Sequence, residues 1–461
     1  MVGIQACNHA LGDGRNLLII AVLRRSTGSM AVMDIDEMAS VRAVLDERAG
    51  VAYPRLVQVR RHLHAHPELS NREVRTAGFV ADRLRAANLD EVRTGIAGHG
   101  VVAVLNGGLA GERVAALRAD MDGLPVAEKS GVEFASTVVD EDYPGGPFPV
   151  AHACGHDCHT ATVLTAAEVL ASVRDRLAGT VMFIFQPAEE GPPVDEVGGA
   201  QAMLDAGAFA DPVPTMVFGM HVGALPKGVV GYRVGNQYAA SCLVKITVTG
   251  RQVHGSTPWF GVDPMPPAAE IITAAAQLYR QIPATSAVTV SIGHVEDVGR
   301  FNIIGERVTL WGTIRCLNQS DMATMQDNLR RLADHHAAAY GATATVEYLQ
   351  YVPPVTNTRE WIDALRPTLD RVLGAERVVA IPGVLGYDDV SVFTSTFGGA
   401  YLGFGSQDTR FVEESLAPVE GGRGLAMNHS PGFYVDEDTL LDSLRVHLHV
   451  AYDHLIGQAA P

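Results

Sequence analysis

The sequence predicts an α/β fold with a mostly parallel sheet, interrupted by a smaller α+β unit of ferredoxin-like order. Two patterns carry this. Short apolar runs of strand length alternate with helical periodicity in the first half of the chain and again at its end, the signature of strands joined by crossover helices. Between them, from about 241 to 353, the order becomes β-α-β-β-α-β.

The elements follow in order. From Ile35 to Ala65 apolar residues recur at helical spacing (Val41, Val44, Leu45, Leu56, Val59, Leu63), and Pro67 ends the pattern. A second helix is expected from Glu73 to Ala87, then strands at Gly100–Leu105, Val114–Arg118, Thr180–Gln186 and Met216–Met220, with a helix over Thr160–Val173. In the inserted unit, Val244–Thr249, Ala287–His294, Arg307–Cys316 and Ala344–Tyr351 read as strands, Pro264–Gln281 and Ser320–Tyr340 as helices, and Pro353 and Pro354 close it. A helix over Arg359–Leu373 resumes the α/β pattern. The implied domains are 34–240 with 354–461, and 241–353 inserted between them; residues 1–33 share no period with the rest and are expected to be disordered or an upstream extension.

Composition narrows the function. The chain has 461 residues, 47% of them hydrophobic, enough for two or three domains with sizeable cores. Thirty-five Lys and Arg against 52 Asp and Glu leave a charge of −17, which argues against nucleic acid as a partner. The run Leu17–Leu23 is about a third of the roughly 20 residues a bilayer span needs, and it lacks the flanks of a signal peptide, so no membrane partner is expected. Five cysteines, an odd number, fit free thiols in a cytoplasmic protein.

The chemistry-bearing residues cluster. In His152-Ala153-Cys154-Gly155-His156-Asp157-Cys158-His159 a thiol and an imidazole two residues apart beside a glycine can converge on one cation; a buried Cys with capping His before a helix is the other reading. Phe185-Gln186-Pro187-Ala188-Glu189-Glu190-Gly191 ends an apolar strand in two carboxylates that point apart, so that one can bind a metal while the other faces the reacting water. His221 follows another strand, and Asn428-His429-Ser430-Pro431 lies near the C-terminus. His62, His64 and His66 precede Pro67 away from any strand end and are read as structural, and His159 as packing or as a support for the ligands.

Taken together, RRHLHAHPELS, LRADMDGLPV, HACGHDCHTA, FQPAEEG, GMHV, HGSTPWFGVDP and NHSPGFYVDE, in that order, resemble the aminoacylase and amidohydrolase family of two-metal metallopeptidases, in the branch of hippuricases and indole-acetyl-amino-acid hydrolases. The resemblance implies a two-metal peptidase-like α/β sandwich catalytic domain with an inserted ferredoxin-like lid and dimerisation domain. It implies Cys154, His156, Glu190, His221 and His429 as ligands of two divalent ions (Mn, Zn, Co or Ni) and Glu189 as general acid/base toward a metal-activated water. It implies a catalytic role for His254, reaching the neighbouring subunit of a homodimer, and Asn302 and Arg315 as holders of a substrate carboxylate, Arg315 being otherwise an exposed strand residue. Asp122 reads as an orienter of the ligands or as a turn residue.

Two departures stand out: Asp120-Met121-Asp122 replaces a His-x-Asp, and Gly386-Tyr387-Asp388-Asp389 has a carboxylate one methylene shorter than relatives. The expected substrate is an N-acyl amino acid or related conjugate. A dipeptidase or carboxypeptidase is the alternative enzyme, and a non-catalytic metal-binding homologue the alternative of another class, opposed by the presence of Glu189 beside Glu190. A Cys154/Cys158 redox switch is a weaker idea, testable by thiol titration with metal bound and removed.

Overall fold

The computed structural model describes residues 35–413 and 415–461, so the expectation for residues 1–33 lies outside them. Helix α1 (Ile35–Ala65) continues through Pro54, and its buried seam of Val41, Leu45, Leu56, Val59 and Leu63 matches the predicted period. Helix α2 (Val74–Ala86) leads into β1 (Glu91–Ile96), a strand the sequence did not announce, which pairs antiparallel with the expected β2 (Gly100–Asn106) at the edge of the sheet. Strands β3 (Leu109–Asp120), β4 (Ala178–Gln186) and β5 (Met216–Pro226) follow, with helix α3 (His156–Ala171) between the first two. Strand β5 runs six residues past the expected end at Met220, which places His221 within the strand.

With β6 (Val230–Tyr232), β11 (Val378–Ala380) and β12 (Gly399–Gln407), numbered in chain order with the inserted strands below, these form one eight-stranded sheet ordered β1-β2-β4-β3-β5-β12-β6-β11. The central four, β4-β3-β5-β12, are mutually parallel. Period-two alternation sends Ala115, Leu117, Phe183, Phe185 and Phe218 to a core shared with α1, α3 and the C-terminal helix, and Ala116, Met182, Ile184 and Val217 to a second core on the opposite face. Strand β12 is wholly buried but reads GAYLGFGSQ, three glycines breaking any apolar pattern, so it escapes the sequence.

The inserted segment forms its own sheet and core. Strands β7 (Ala240–Thr249), β8 (Val288–Asp297), β9 (Arg307–Cys316) and β10 (Thr343–Val352) are ordered β8-β9-β7-β10, every neighbouring pair antiparallel. Helices α4 (Met265–Ala275) and α5 (Gln319–Ala339) bury one face. The expected helix Pro264–Gln281 is shorter than the pattern suggests, its last turn being the 3-10 segment Leu278–Gln281. No helix among the described residues is long and apolar enough to cross a membrane.

The C-terminal helices α6 (Arg359–Leu373) and α7 (Leu440–Leu455) close the first core. Helix α7 buries His447 and His454, and desolvation holds each near pKa 4 against an ordinary 6.5. Their folded values are depressed, so the unfolded chain binds more protons between pH 6.5 and 4. The stability they support is present above about 6.5 and lost as pH falls toward 4, up to about 3 kcal/mol per histidine. Urea midpoints measured from pH 7 to 4.5 should therefore fall with acid, and His447→Gln should flatten that slope by about one proton; an unchanged slope would contradict the assignment.

Candidate active site

The chemistry sits at the carboxyl ends of the parallel strands, where sheet ligands gather. Strand β3 delivers Asp120 and Asp122, β4 runs into Glu189 and Glu190, and β5 carries His221. Helix α3 begins at His156, one residue after Gly155 in the left-handed region (φ 92°). A Cβ there would lie 2.2 Å from Val222 Cγ2, so only glycine lets the Cys154–His156 turn lie against β5. His429 (φ 67°) and Ala188 (φ 54°) are also left-handed; the Ala188 amide is held by Glu73 Oε1 at 2.7 Å, which turns the following carboxylates inward.

These residues converge. Cys154 Sγ lies 3.4 Å from His221 Nε2, and His429 Nε2 lies 3.1 Å from Glu190 Oε1. His156 Nε2 is 3.7 Å from Glu189 and 3.9 Å from Glu190. Donor atoms of Cys154, His156 and His221 lie within 4.8 Å of one another, as do those of Cys154, Glu190 and His429. His156 Nδ1 meets Asp122 Oδ1 at 3.2 Å, while Asp122 Oδ2 accepts from Ser70 and from the Glu190 amide. That leaves His156 Nε2 facing the cluster.

The donor set fits a pair of cations. His156 Nε2, Glu189 Oε1 and Glu190 Oε1 are buried with no hydrogen-bond partner; the Glu190–His429 contact has the distance of a hydrogen bond but not its alignment. Burial drives His156 toward neutrality, yet Asp120, Asp122 and Glu190 outweigh it and push its pKa up to about 10, so the position favours positive charge. His221 is held down at about 3 by burial and by His159, leaving a neutral imidazole free to ligate. Burial and then Glu190 and Glu189 push the Cys154 thiol well up, so a thiolate there needs a cation beside it. Glu189 is raised well above the carboxylate range by burial and by Asp388, Glu190 and Asp389, whereas His429 and His156 overcome burial to hold Glu190 near 2.

The model of peptidase family M20/M25/M40 matches residues 116–453. The chain belongs to that family. Thermostable carboxypeptidase 2 of Saccharolobus solfataricus is 35% identical over 389 residues, 84% of this chain and 91% of its own length. N-acetylcysteine deacetylase of Bacillus subtilis is 32% identical over 390 residues, covering 84% and 93%. Among solved structures, the Bacillus subtilis YXEP protein, described as a dinuclear metal binding peptidase of the M20 family, matches with a TM-score of 0.67 and 29% identity over 88% of this chain and 99% of its own. The resemblance read from the motifs is thus borne out at the level of the family: the chain is an M20/M25/M40 hydrolase of amide bonds, and its converging Cys, His and Glu donors form candidate metal-ligand groups.

Beneath the site of this M20/M25/M40 enzyme lies a charged cluster that sequence reasoning missed. Arg118, wholly buried on β3, meets Asp120 Oδ2 at 2.6 Å, Asp388 Oδ1 at 3.1 Å and Asp389 Oδ1 at 3.3 Å. Asp388, the shorter carboxylate, thus does make a contact, an ion pair with Arg118. Asp120 Oδ1 accepts from His159 Nδ1 at 2.6 Å, and His159 Nε2 accepts from the Val222 amide, so His159 supports β5 beside His221. Away from the cluster, His64 bridges Asp157 and Glu128, and His62 stacks on Phe79.

The inserted unit divides the remaining candidates. Arg315 packs its guanidinium 4.3 Å from the centre of the Tyr387 ring, in the field of Glu189 and Glu190. His254 and Asn302 lie together on a separate two-stranded ribbon, linked by the Gly255 amide to the Asn302 carbonyl at 2.9 Å, and both are exposed. Neither makes a hydrogen bond or ion pair with the cluster among the described residues. His254 Nδ1 accepts from the Ser256 amide at 3.0 Å, leaving Nε2 outward.

Proposed function

We propose that this enzyme cleaves the amide of an N-acylated amino acid or related conjugate, with Cys154, His156, Glu190, His221 and His429 holding two divalent ions and Glu189 serving as general acid/base. The observation that carries the reading is Glu189 itself: a buried carboxylate with a free oxygen, 3.7 Å from His156 and beside Glu190, in excess of what the ligand set needs. The bound ions supply Lewis acidity to the amide carbonyl and acidify water. Manganese, zinc, cobalt and nickel all suit mixed S, N and O donors. Glu189 Oε1 takes a proton from the attacking water and returns it to the departing nitrogen. Asp122 fixes the His156 ring, and the Arg315 fork, with Asn302, holds the substrate carboxylate. The four described cysteines are free and buried, which supports a reducing, cytoplasmic setting.

A panel of N-acyl amino acids and dipeptides, with both products identified, tests this. Release of a carboxylic acid and a free amino acid from the N-acyl compounds supports it. Cleavage confined to peptides favours the second reading, a carboxypeptidase or dipeptidase, which the 35% identical carboxypeptidase supports.

In the same reading, domain 241–353 is a lid through which two copies pair, and His254 serves the other subunit's site by stabilising the tetrahedral oxyanion. The exposed Trp259, Phe260 and Phe301 (70%, 69% and 91%) border His254 and Asn302 and supply apolar surface for a second copy to cover. Glu189→Gln and His254→Ala, each inactive alone, should complement: mixed dimers carry one intact site, half of randomly assorted dimers are mixed, and turnover should recover to roughly a quarter of wild type. No recovery in confirmed mixed dimers would exclude the in-trans role.

A further inference from the structure

Two side chains of the inserted unit grip the loop that carries Glu189. Gln350, itself left-handed (φ 46°), donates from Nε2 to the Pro192 carbonyl at 3.0 Å. The second grip is indirect and passes through Tyr387. Its ring lies under Arg315 at 4.3 Å, and its hydroxyl donates to the Glu189 carbonyl at 3.2 Å. Tyr387 immediately precedes Asp388 and Asp389, which are anchored on the buried Arg118. The ring therefore stands on a fixed base, with the lid guanidinium on its face and the acid/base loop at its tip.

Among the described residues the Arg315 guanidinium has one side-chain hydrogen-bond partner, Thr313 Oγ1, reached by Nε at 3.1 Å. Its outer nitrogens are left for a ligand. Stacking on an aromatic face fixes the plane of a guanidinium without consuming its donors, which is the condition for a two-pronged grip on a carboxylate.

We propose that Tyr387 is a positioning residue for substrate recognition: its ring sets the plane in which Arg315 meets the substrate carboxylate, and its hydroxyl holds Glu189 in register with that carboxylate. The proposal rests on the reading of Arg315 as carboxylate holder. One side chain then measures the distance between the carboxylate and the scissile amide, which makes the site selective for amides of α-amino acids bearing a free carboxyl group.

The test compares an N-acyl amino acid with its primary carboxamide on wild type, Tyr387→Phe, Tyr387→Met and Arg315→Lys, with calorimetric affinity for the free amino-acid product as a readout independent of turnover. Tyr387→Phe keeps the ring, so KM and the acid-over-amide preference should stay near wild type while kcat falls several-fold. Tyr387→Met removes the ring, so KM for the acid should rise roughly 2- to 30-fold and product affinity should weaken alike, with little change for the carboxamide. In KM and product affinity the Tyr387→Met/Arg315→Lys double variant should be scarcely worse than Arg315→Lys alone, while its kcat falls further by the factor seen in Tyr387→Phe. Tyr387→Leu serves in the same role if Tyr387→Met does not fold. A preference lost in Arg315→Lys but kept in the ringless variants overturns the proposal alone. Indifference of wild type and Arg315→Lys alike to the carboxylate overturns both it and the reading beneath it.

Discussion

Glu189→Gln is expected to keep two metal ions per chain and to lose roughly a hundredfold or more in turnover. The amide occupies the volume of the carboxylate but cannot accept the proton of the attacking water. Glu189 lies outside the two donor groups built on Cys154, although its carboxylate also lies within 4.8 Å of donor atoms of His156 and Glu190; with both Cys154 groups intact, ion binding should survive the change. Elemental analysis and steady-state turnover on the same preparation separate the two effects. Near-native turnover would remove Glu189 from the acid/base role, and loss of metal would make it a ligand.

The second large effect is expected from the ligands. Cys154→Ser and His221→Ala should each lose at least about tenfold in metal affinity, a lower bound set by the cost of removing mere outer partners of metal ligands. Cys154 belongs to both groups of converging donors, so its replacement disturbs both ion positions, whereas His221 belongs to one. Chelator-treated wild type should be inactive and should regain activity on adding metal back. Because bound metal stabilises only the folded chain, by about 2.7 kcal/mol at a hundredfold excess over Kd, thermal unfolding in a metal titration reports affinity without any assay of turnover. Full stoichiometric metal of native affinity in Cys154→Ser would contradict the ligand set.

Much of this site was legible in the sequence because its parts are local. Cys154 and His156 flank a glycine within one turn, Glu189 and Glu190 are neighbours at a strand end, and His429 follows an Asn within a Ser-Pro turn. Each has a short-range signal, and the ordered motifs join them. The base of the site had no such signal. Arg118 meets Asp388 and Asp389 across 270 and 271 residues of chain, and a single Arg within an apolar run looks like an interruption of the strand. Tyr387 was visible only as a member of a departing motif, because stacking under Arg315 depends on how the inserted unit closes over the sheet. Strand β12 was missed for a related reason: its glycines let it pair closely with β5, where Gly403 lies beside His221, and that need for close approach erases the apolar alternation by which strands are recognised.

Arg118 shows what the hidden base is for. Three carboxylates gather on one wholly buried guanidinium, and removing that charge would strand them at a cost of about 3 to 5 kcal/mol. The same pairing occupies Asp120, whose other oxygen takes His159, so Asp120 braces the ligands from below.

Anomalous diffraction from crystals of the metal-loaded enzyme tests the central claim most directly, because the buried acidic and imidazole groups offer competing homes for an ion. Donor atoms of Asp120, His156 and His159 lie within 4.8 Å of one another, and so do those of Glu189, Asp388 and Asp389. Two peaks bounded by Cys154, His156, Glu190, His221 and His429, with none on Glu189, Asp388 and Asp389, are the predicted result. A single peak, or an ion ligated by Glu189, would contradict it.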